Sequence, residues 1–408
     1  MDGQNRRADQ CEKDFEAEAL RSFEQLVVEM KDPRRPQGCR YPLVLVVVSA
    51  LIAMVCGMDS AEGMAAWCVA RAEWLGTFLP MPHSTPTQDV YLRVFATLDP
   101  KEFREVFNAW ARLILCRLPQ SGSHVALDGK TSRGTRDSES KRMGIHTVGA
   151  WISEMGLLIG NTHVEEKTNE VAAFLELVGM LNIKGMTVTI DAMGCQREVA
   201  AKIVEKGADY LIPVKENQPT LLKDLKATFE YAQNDQSLSI DRSQASPIET
   251  FEAPDKGHGR VEVRRVLVCH NLSLITRAKD WAKLAFIAMV VRERTVLSTN
   301  KTSTEVLYYI GSNPNASAEE IFGLIRSHWS IENGCHWILD VAFREDHARQ
   351  RSKSAGKNFS LMRRFALTLL KLDKTARVGV AAKRVLAATS TDYLIHILSG
   401  ARHLEAAV

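Results

Sequence analysis

Residues Met186 to Asp191 read MTVTID, and this stretch decides the fold class. Its β-branched residues predict a short strand that ends on a carboxylate. A second run of this kind lies upstream, where His124 to Asp128 reads HVALD and is followed by Gly129. A carboxylate at the end of a strand projects from the rim of a sheet, where ligands usually bind. We therefore expect Asp128 and Asp191 to lie at one rim.

The segments around these strands alternate between strand and helix patterns. Two β-rich runs, 145–152 and 157–164, are separated by a hairpin signal. The sequence next predicts a helix over 169–182, a helix over 196–206 and a strand over 209–214. The resulting order predicts an α/β fold, a mixed sheet flanked by helices.

The length of 408 residues favours two or three domains. Changes in sequence pattern divide the chain into five regions. They are a polar tail at 1–19, an all-α N-terminal domain at 20–118, an α/β core at 120–218 plus 312–350, an inserted and partly β region at 219–311, and basic C-terminal helices at 351–408. Within the insertion, strand-like runs occur at 260–269, 284–291 and 305–310.

An uncharged run of 17 residues, from Pro42 to Met58, has two interpretations. It is at the short limit for a membrane span, and we favour a buried helix over a membrane anchor. The eight cysteines are scattered without a C-x-x-C pair, and the chain begins with polar sequence. We therefore expect a cytoplasmic protein with reduced thiols and no membrane partner.

The formal net charge is only +3, but positive charge is concentrated between Arg344 and Arg384. Twelve residues there are Lys or Arg, and three are Asp or Glu. Such a block either attracts a polyanion or forms a solvated helix surface, and the sequence does not distinguish the two.

Paired strand-end carboxylates are suited to hard cations such as Mg²⁺, which bind oxygen ligands. Each acid also has a simpler explanation: Asp128-Gly129 could form a hairpin turn, and Asp191 could cap the following helix. A site for two ions needs a further acid. The helical segment HWSIENGCHWILDVAFRED offers four candidates, namely Glu332, Asp340, Glu345 and Asp346.

Several ordered motifs resemble insertion-sequence transposases of the DDE superfamily, and in particular the group that includes the H-repeat-associated proteins. The likeness runs from roughly residue 23 to 372. The three acidic motifs are Asp128-Gly129-Lys130, Asp191-Ala192-Met193-Gly194-Cys195-Gln196 and His328-Trp329-Ser330-Ile331-Glu332-Asn333. Further matching stretches are Glu166-Lys167-Thr168-Asn169-Glu170, Lys215-Glu216-Asn217-Gln218, Gly257-His258-Gly259-Arg260 with Glu262 and Arg264, and Asp32-Pro33-Arg34.

This resemblance implies an RNase H-like catalytic domain in which Asp128, Asp191 and Glu332 hold two Mg²⁺ or Mn²⁺ ions. It also implies phosphodiester hydrolysis at the ends of an element, followed by transfer of the freed 3′-hydroxyl to target DNA. The partners would be double-stranded DNA, as element ends and as target, and a second subunit in a homodimer assembled on DNA. The long stretch between Asp191 and Glu332 would be an inserted domain.

One departure concerns the helix that carries Glu332. Relatives in the wider group surround the glutamate with Tyr-x2-Arg-x3-Glu-x6-Lys, whereas this chain has Ile325, His328 and Leu339 at those flanking positions. The Arg and Lys that would contact phosphates are therefore absent from those places. Arg326, His328, Arg344 or Arg349 could substitute, since phosphate contacts accept varied donors.

Polar residues just after the predicted strands are candidate DNA contacts, although exposed loop residues without a function would look the same. Others lie in the insertion and on the Glu332 helix. The full set is Lys130, Arg133, Lys215, Asn217, Gln218, His258, Arg260, Arg326, His328 and Asn333. Two alternatives to a transposase stay open, a stand-alone nuclease on the same fold and a catalytically inactive DNA-binding descendant.

Overall fold

The computed structural model describes residues 18–115, 123–136, 143–164, 170–234, 248–257 and 259–399. The predicted polar tail lies outside these residues, apart from its last two positions, and so does the candidate DNA contact His258. The described chain contains a large mixed sheet with helices on both sides of it, and the N- and C-terminal helices pack together on one of these sides.

Nine strands form one sheet in the order β3-β2-β1-β4-β5-β9-β8-β7-β6. The pairs β1–β4 and β4–β5 are parallel, and all the other pairs are antiparallel. The strands are β1 (His124–Ser132), β2 (Ile145–Ile152), β3 (Leu157–Val164), β4 (Thr187–Ile190), β5 (Asp209–Val214), β6 (Glu249–Gly257), β7 (Arg260–Cys269), β8 (Phe286–Val296) and β9 (Lys301–Gly311).

The first five strands confirm the predicted RNase H-like core. Their order, β3-β2-β1-β4-β5, joins an antiparallel meander to two parallel strands. Alternate residues of β1 face different layers: Val125 and Leu127 pack with the helices Glu170–Met180, Arg197–Glu205 and Pro219–Asn234, whereas Ala126 faces the N- and C-terminal helices. This period of two is what places helices on both faces of the sheet.

The insertion is continuous with the catalytic sheet, because β9 pairs with β5. Of its four strands, β7, β8 and β9 match the predicted runs approximately, and β6 was not predicted. Strand β6 contains Pro254 and several charged residues, which weaken the strand signal. Its place at the sheet edge, paired only with β7, tolerates the missing N–H of that proline.

The N-terminal region is helical, as predicted. Its helices are α1 (Glu18–Val28), α2 (Leu43–Val55), α3 (Ala61–Ala70), α4 (Ala72–Leu75), α5 (Gln88–Thr97) and α6 (Pro100–Leu115). The apolar run forms α2, in which twelve of the thirteen residues are buried in the protein core. Across the described residues, no helix is both long and apolar enough to cross a membrane.

The remaining helices are α7 (Glu170–Met180), α8 (Arg197–Glu205), α9 (Pro219–Asn234), α10 (Ala318–His328), α11 (Trp337–Val341), α12 (Ala355–Leu372), α13 (Val380–Thr389) and α14 (Thr391–Ser399). The last three share one core with the N-terminal helices. Phe365 of α12 packs against Phe23 and Phe107, with ring centroids 4.6 Å apart in each case. The chain therefore returns at its end to complete the N-terminal helical body.

The basic block between Arg344 and Arg384 does not form a continuous cationic surface. Arg363, Arg364, Lys383 and Arg384 are buried. Arg364 pairs with Glu345 at 2.9 Å, and Arg384 pairs with Asp59 at 2.5 Å. Neither interpretation left open for this block, a polyanion-attracting surface or a solvated helix surface, describes these four residues, because they are buried and Arg364 and Arg384 are paired with acids.

Candidate active site

Asp128, Asp191 and Glu332 line a single cavity of about 340 Å³. The first two come from neighbouring parallel strands, in which Leu127 of β1 is in register with Ile190 of β4. The next residue in each strand is the acid, Asp128 in β1 and Asp191 after β4, so both carboxylates emerge at the same edge of the sheet. Because β1 continues through Gly129 to Ser132, Asp128 does not form the alternative hairpin turn.

Glu332 reaches the cavity from a helical segment with an unusual turn. Helix α10 begins at a capping box formed by Ser317 and Glu320, and a single π-helical turn follows at Glu332–His336. Such turns are rare in proteins, and those that do occur often lie at functional sites. A Cβ on Gly334 would lie 2.6 Å from the Trp151 ring, so only glycine lets this turn pack so closely on β2. Glu332 itself is exposed.

The other three acids considered for the third position have partners elsewhere. Asp340 accepts a hydrogen bond from Nζ of Lys130 at 2.6 Å. Glu345 is fully buried against Arg364, and Asp346 accepts the backbone N–H of Arg133 at 2.9 Å. None of the three lines the cavity.

Burial and mutual repulsion disfavour the charged forms of the two strand acids. Burial raises the pKa of Asp128 to about 7, with Asp191, Glu332 and Glu170 adding to the rise and the Gly129 N–H opposing it. Burial also raises the pKa of Asp191, and Glu170 contributes again. A cluster of carboxylates held in a partly dry cavity favours the binding of a cation.

Backbone hydrogen bonds orient both strand acids. Oδ1 of Asp128 accepts the Gly129 N–H at 2.8 Å, and Oδ1 of Asp191 accepts the Gly194 N–H at 3.2 Å. Asp191 therefore caps the 3₁₀ turn Ala192–Gly194, so its capping role and its place in the cavity coexist. Oδ2 of Asp128 lies 3.4 Å from Nδ1 of His336.

Glu170 is a fourth carboxylate near the cavity, and sequence reasoning gave it no role. It is buried at the start of α7, and its charge raises the pKa of both strand acids. It is in contact with His146 of β2, whose ring lies directly against Gly129. The only signal in the sequence was its position at the end of the motif Glu166–Glu170.

His328 is not a charged substitute for the missing arginine. The Thr189 hydroxyl lies 2.8 Å from its Nδ1 and 2.6 Å from Nε2 of His124. Burial lowers the pKa of His328 to about 4, so the ring is neutral near pH 7. It lines the cavity and connects the Glu332 segment to β4.

Three predicted DNA contacts have internal partners. Lys130 is buried and pairs with Asp340. The side-chain amide of Asn217 donates to the Ala192 carbonyl at 2.7 Å, and that of Gln218 donates to the Cys195 carbonyl at 2.8 Å. These two amides brace the turn that follows Asp191.

Other predicted contacts are exposed. Lys215 lies at the rim of the cavity. Arg326 forms an exposed pair with Asp255 at 2.8 Å. Arg133, Arg260 and Asn333 are exposed as well.

Family models match most of the chain. A model described as the transposase DDE domain matches residues 119–369, and one described as DDE_Tnp_1-associated matches residues 25–111. This chain belongs to the DDE superfamily of insertion-sequence transposases. The DDE domain match spans the five-stranded core and the insertion together, in agreement with the single sheet.

Individual relatives of this DDE family member match along nearly their whole length. "Putative protein YbfL" and "H repeat-associated putative transposase YhhI", both from Escherichia coli (strain K12), are each 32% identical over 372 residues, which is 90% of this chain and 95% of each relative. "Putative transposase YncI" from Escherichia coli O157:H7 is 29% identical, over 95% of this chain and 96% of its own. The group expected from the motifs is thereby confirmed.

Among solved structures, a piggyBac transposase synaptic complex with hairpin DNA aligns with 92% of this chain and 80% of its own. The TM-score is 0.43 and the sequence identity is 11%. The fold assignment for this transposase family member therefore rests on its own strand order.

Proposed function

We propose that this chain is an active DNA transposase in which Asp128, Asp191 and Glu332 hold two Mg²⁺ or Mn²⁺ ions. It hydrolyses a phosphodiester at each end of its element and transfers the freed 3′-hydroxyl to target DNA. The observation that carries the proposal is that carboxylates from two strands and one helical segment line the same cavity. Membership of the DDE superfamily supports the same chemistry.

The donor set fits a hard divalent cation. All three side chains offer carboxylate oxygens, which Mg²⁺ prefers to nitrogen or sulfur. Within the ranges that the structure describes, no three His, Cys, Asp or Glu side chains form a compact ligand set. The acids therefore share a cavity without being packed around a common centre, and cation binding would offset the burial and the repulsion that raise the pKa of Asp128.

Two divalent ions, when bound, supply Lewis-acid activation of the attacking oxygen and stabilise the leaving oxygen. The protein's own groups orient the acids, because the Gly129 and Gly194 N–H groups each hold one carboxylate oxygen. Asn217 and Gln218 hold the turn after Asp191. Lys215 places a positive charge at the rim, where a scissile phosphate would approach.

The proposed partner is double-stranded DNA, both as element ends and as target. Exposed Arg133, Lys215, Arg260, Arg326 and Asn333 are the proposed contacts from the original set. We propose a homodimer assembled on DNA, because synapsis of the two element ends would bring one subunit to each end.

The test is cleavage and joining of DNA that carries the gene's own flanking sequence, with Mg²⁺ or Mn²⁺. We expect defined cuts and joined products from the native chain and neither from Glu332→Gln. Glu319→Gln, an exposed acid on α10 outside the cavity, is the matched control and should retain activity.

Other outcomes would identify the alternatives. Specific binding of the ends without any cut favours the inactive DNA-binding descendant. Cutting without joining favours a stand-alone nuclease. If the Glu332→Gln chain still cuts DNA, Glu332 is not an acid of the catalytic site.

A further inference from the structure

Three arginines surround one carboxylate on a face of the insertion. In the antiparallel register of β7 and β8, Arg264 lies directly opposite Arg292, and Glu262 lies opposite Arg294. Like charges at directly opposite positions destabilise a sheet pair. The arrangement therefore needs a compensating anion.

Glu262 provides only part of that compensation. Its buried carboxylate accepts Nε of Arg264 at 2.6 Å on one oxygen and Nε of Arg294 at 3.3 Å on the other. Nε of Arg292 lies 3.5 Å away and is buried, with no hydrogen-bond acceptor among the residues that the structure describes. Three guanidinium charges against one carboxylate leave a formal excess of two positive charges.

Glu305 of β9 lowers this formal excess to one positive charge, but its pairing with Arg292 is weak. It accepts NH1 of Arg292 at 3.1 Å, but its side chain is 55% exposed. Exposed ion pairs contribute little, because water and salt screen them. A net positive charge therefore remains around Arg264, Arg292 and Arg294.

The opposite face of the same strands shows no such excess at the neighbouring arginine. Arg265 projects to that side because successive residues of a strand alternate between faces. It pairs with a single acid, Glu252, at 2.6 Å, and both side chains are largely exposed. The excess of positive charge is thus specific to the face that carries Arg264.

This face leads directly into the catalytic cavity. Arg292 and Glu305 line the same cavity as Asp128, Asp191 and Glu332. Arg264 is one strand further out, and Arg294 is two residues further along β8, about 7 Å away at the usual rise of a strand. The side chain of Arg294 is 39% exposed, so its guanidinium is accessible from solvent.

We propose that Arg264, Arg292 and Arg294, preorganised by Glu262, form a phosphate-binding platform for the backbone of the DNA strand that enters the catalytic cavity. Guanidinium forks match phosphate oxygens in a bidentate geometry, which lysines cannot reproduce. Glu262 holds the forks in place before DNA arrives, and incoming phosphates supply the missing negative charge. The platform rests on the proposed function in that its ligand is DNA.

The test measures binding of the full chain to duplex DNA with the flanking sequence, by fluorescence anisotropy over a series of salt concentrations. Every variant carries Glu332→Gln, so that cleavage does not interfere. We expect Arg294→Gln to weaken binding roughly three- to tenfold at 0.1 M salt and to reduce the slope of log K against log salt by about one. Arg292→Gln should act in the same direction.

Arg265→Gln is the matched control, since it removes an arginine from the same strand as Arg264 on the opposite face. It should leave the affinity and the slope unchanged. Arg294→Lys should recover part of the affinity, and far-UV circular dichroism should show that each variant is folded.

The outcomes separate the platform from the proposed function. If the Glu332→Gln chain binds the duplex but Arg294→Gln and Arg292→Gln keep its slope, the platform is wrong and the function stands. An equal loss in Arg265→Gln also overturns the platform. If the chain does not bind DNA at all, both proposals fail.

Discussion

Nε2 of His146 lies 2.5 Å from Oε1 of Glu170, and the two buried side chains meet beside Gly129. The two polar atoms are therefore in direct contact inside the protein. On its other side, Nδ1 of His146 lies 2.8 Å from the Thr131 hydroxyl. Together, the contacts of His146 with Glu170 and with Thr131 hold the strand segment that presents Asp128.

Gly129→Ala should therefore disturb the cavity. The added Cβ would lie 2.6 Å from Nε2 of His146, and the buried ring has little room to move. We expect a loss of about 1–3 kcal/mol in the free energy of unfolding and a larger relative loss of strand cleavage. Gly179→Ala on α7 is the control, because its Cβ would meet nothing closer than 3.7 Å. Urea unfolding and the cleavage assay measure the two effects, and full activity in Gly129→Ala would contradict the role given to His146.

Two glycines on the Glu332 helical segment should respond in opposite ways to alanine. Gly334→Ala would push the π turn away from Trp151, whose ring lies 2.6 Å from the added Cβ, and displace Glu332. Gly323→Ala meets nothing within 4 Å in α10 and should stabilise the protein by about 0.5–1 kcal/mol. We expect cleavage to be lost in Gly334→Ala and kept in Gly323→Ala. Equal cleavage activity in both variants would show that the π turn does not position Glu332.

Lys215 and Asn217 should differ in the salt dependence of DNA binding, although only one residue separates them. Lys215→Ala removes a charge at the cavity rim and should reduce the salt slope by about one. Asn217→Ala removes the brace on the Ala192 carbonyl and should reduce cleavage while leaving that slope unchanged. Anisotropy titrations and cleavage rates of the two variants test this division. If Asn217→Ala also reduces the salt slope, Asn217 is a phosphate contact after all.

Glu345 should make stability depend on acid pH. Burial opposes its charged form, but Arg364, Arg363 and the Ser360 hydroxyl outweigh burial and lower its pKa from 4.5 to about 2. Because the folded pKa is below the unfolded value, the stabilisation is complete above about pH 4.5 and is lost as the pH falls towards 2.

Glu345→Gln is the corresponding variant. It should lower the free energy of unfolding near pH 7 by about 3–5 kcal/mol, because it leaves the buried Arg364 without its counter-charge. It should also flatten the decline in stability between pH 4.5 and 2. Urea titrations across this range provide the measurement, and an unchanged decline would exclude Glu345 as its source.

The core of the fold and the strand acids could be predicted because their signals are local. A β-branched run ending in Asp191 defines both a strand and the position of its carboxylate. The third acid could not be chosen from local signals, because the helical pattern left four acids as candidates. Only the motif resemblance selected Glu332. The structure supports that selection by giving Asp340, Glu345 and Asp346 other partners.

The sequence could not show which charged and polar side chains pair with distant parts of the chain. The sequence shows Arg384 in a basic block, but not that Asp59, more than three hundred residues earlier, would neutralise it. Likewise, the sequence does not show that the exposed Asn217 donates its side-chain amide to the Ala192 carbonyl. Ion pairs and hydrogen bonds between distant parts of the chain depend on the tertiary structure, and no local sequence pattern predicts them.

The hydrogen bonds between β5 and β9 have a further consequence for how the chain could be shortened or exchanged. Removal of residues 248–311 would leave β5 as a bare edge, with unpaired N–H and C=O groups open to other chains. The insertion therefore cannot be exchanged like an appended module. Since β9 is hydrogen-bonded directly to β5, the arginine platform and Asp191 belong to one sheet, and DNA held at the platform would be aligned with the site of Asp191.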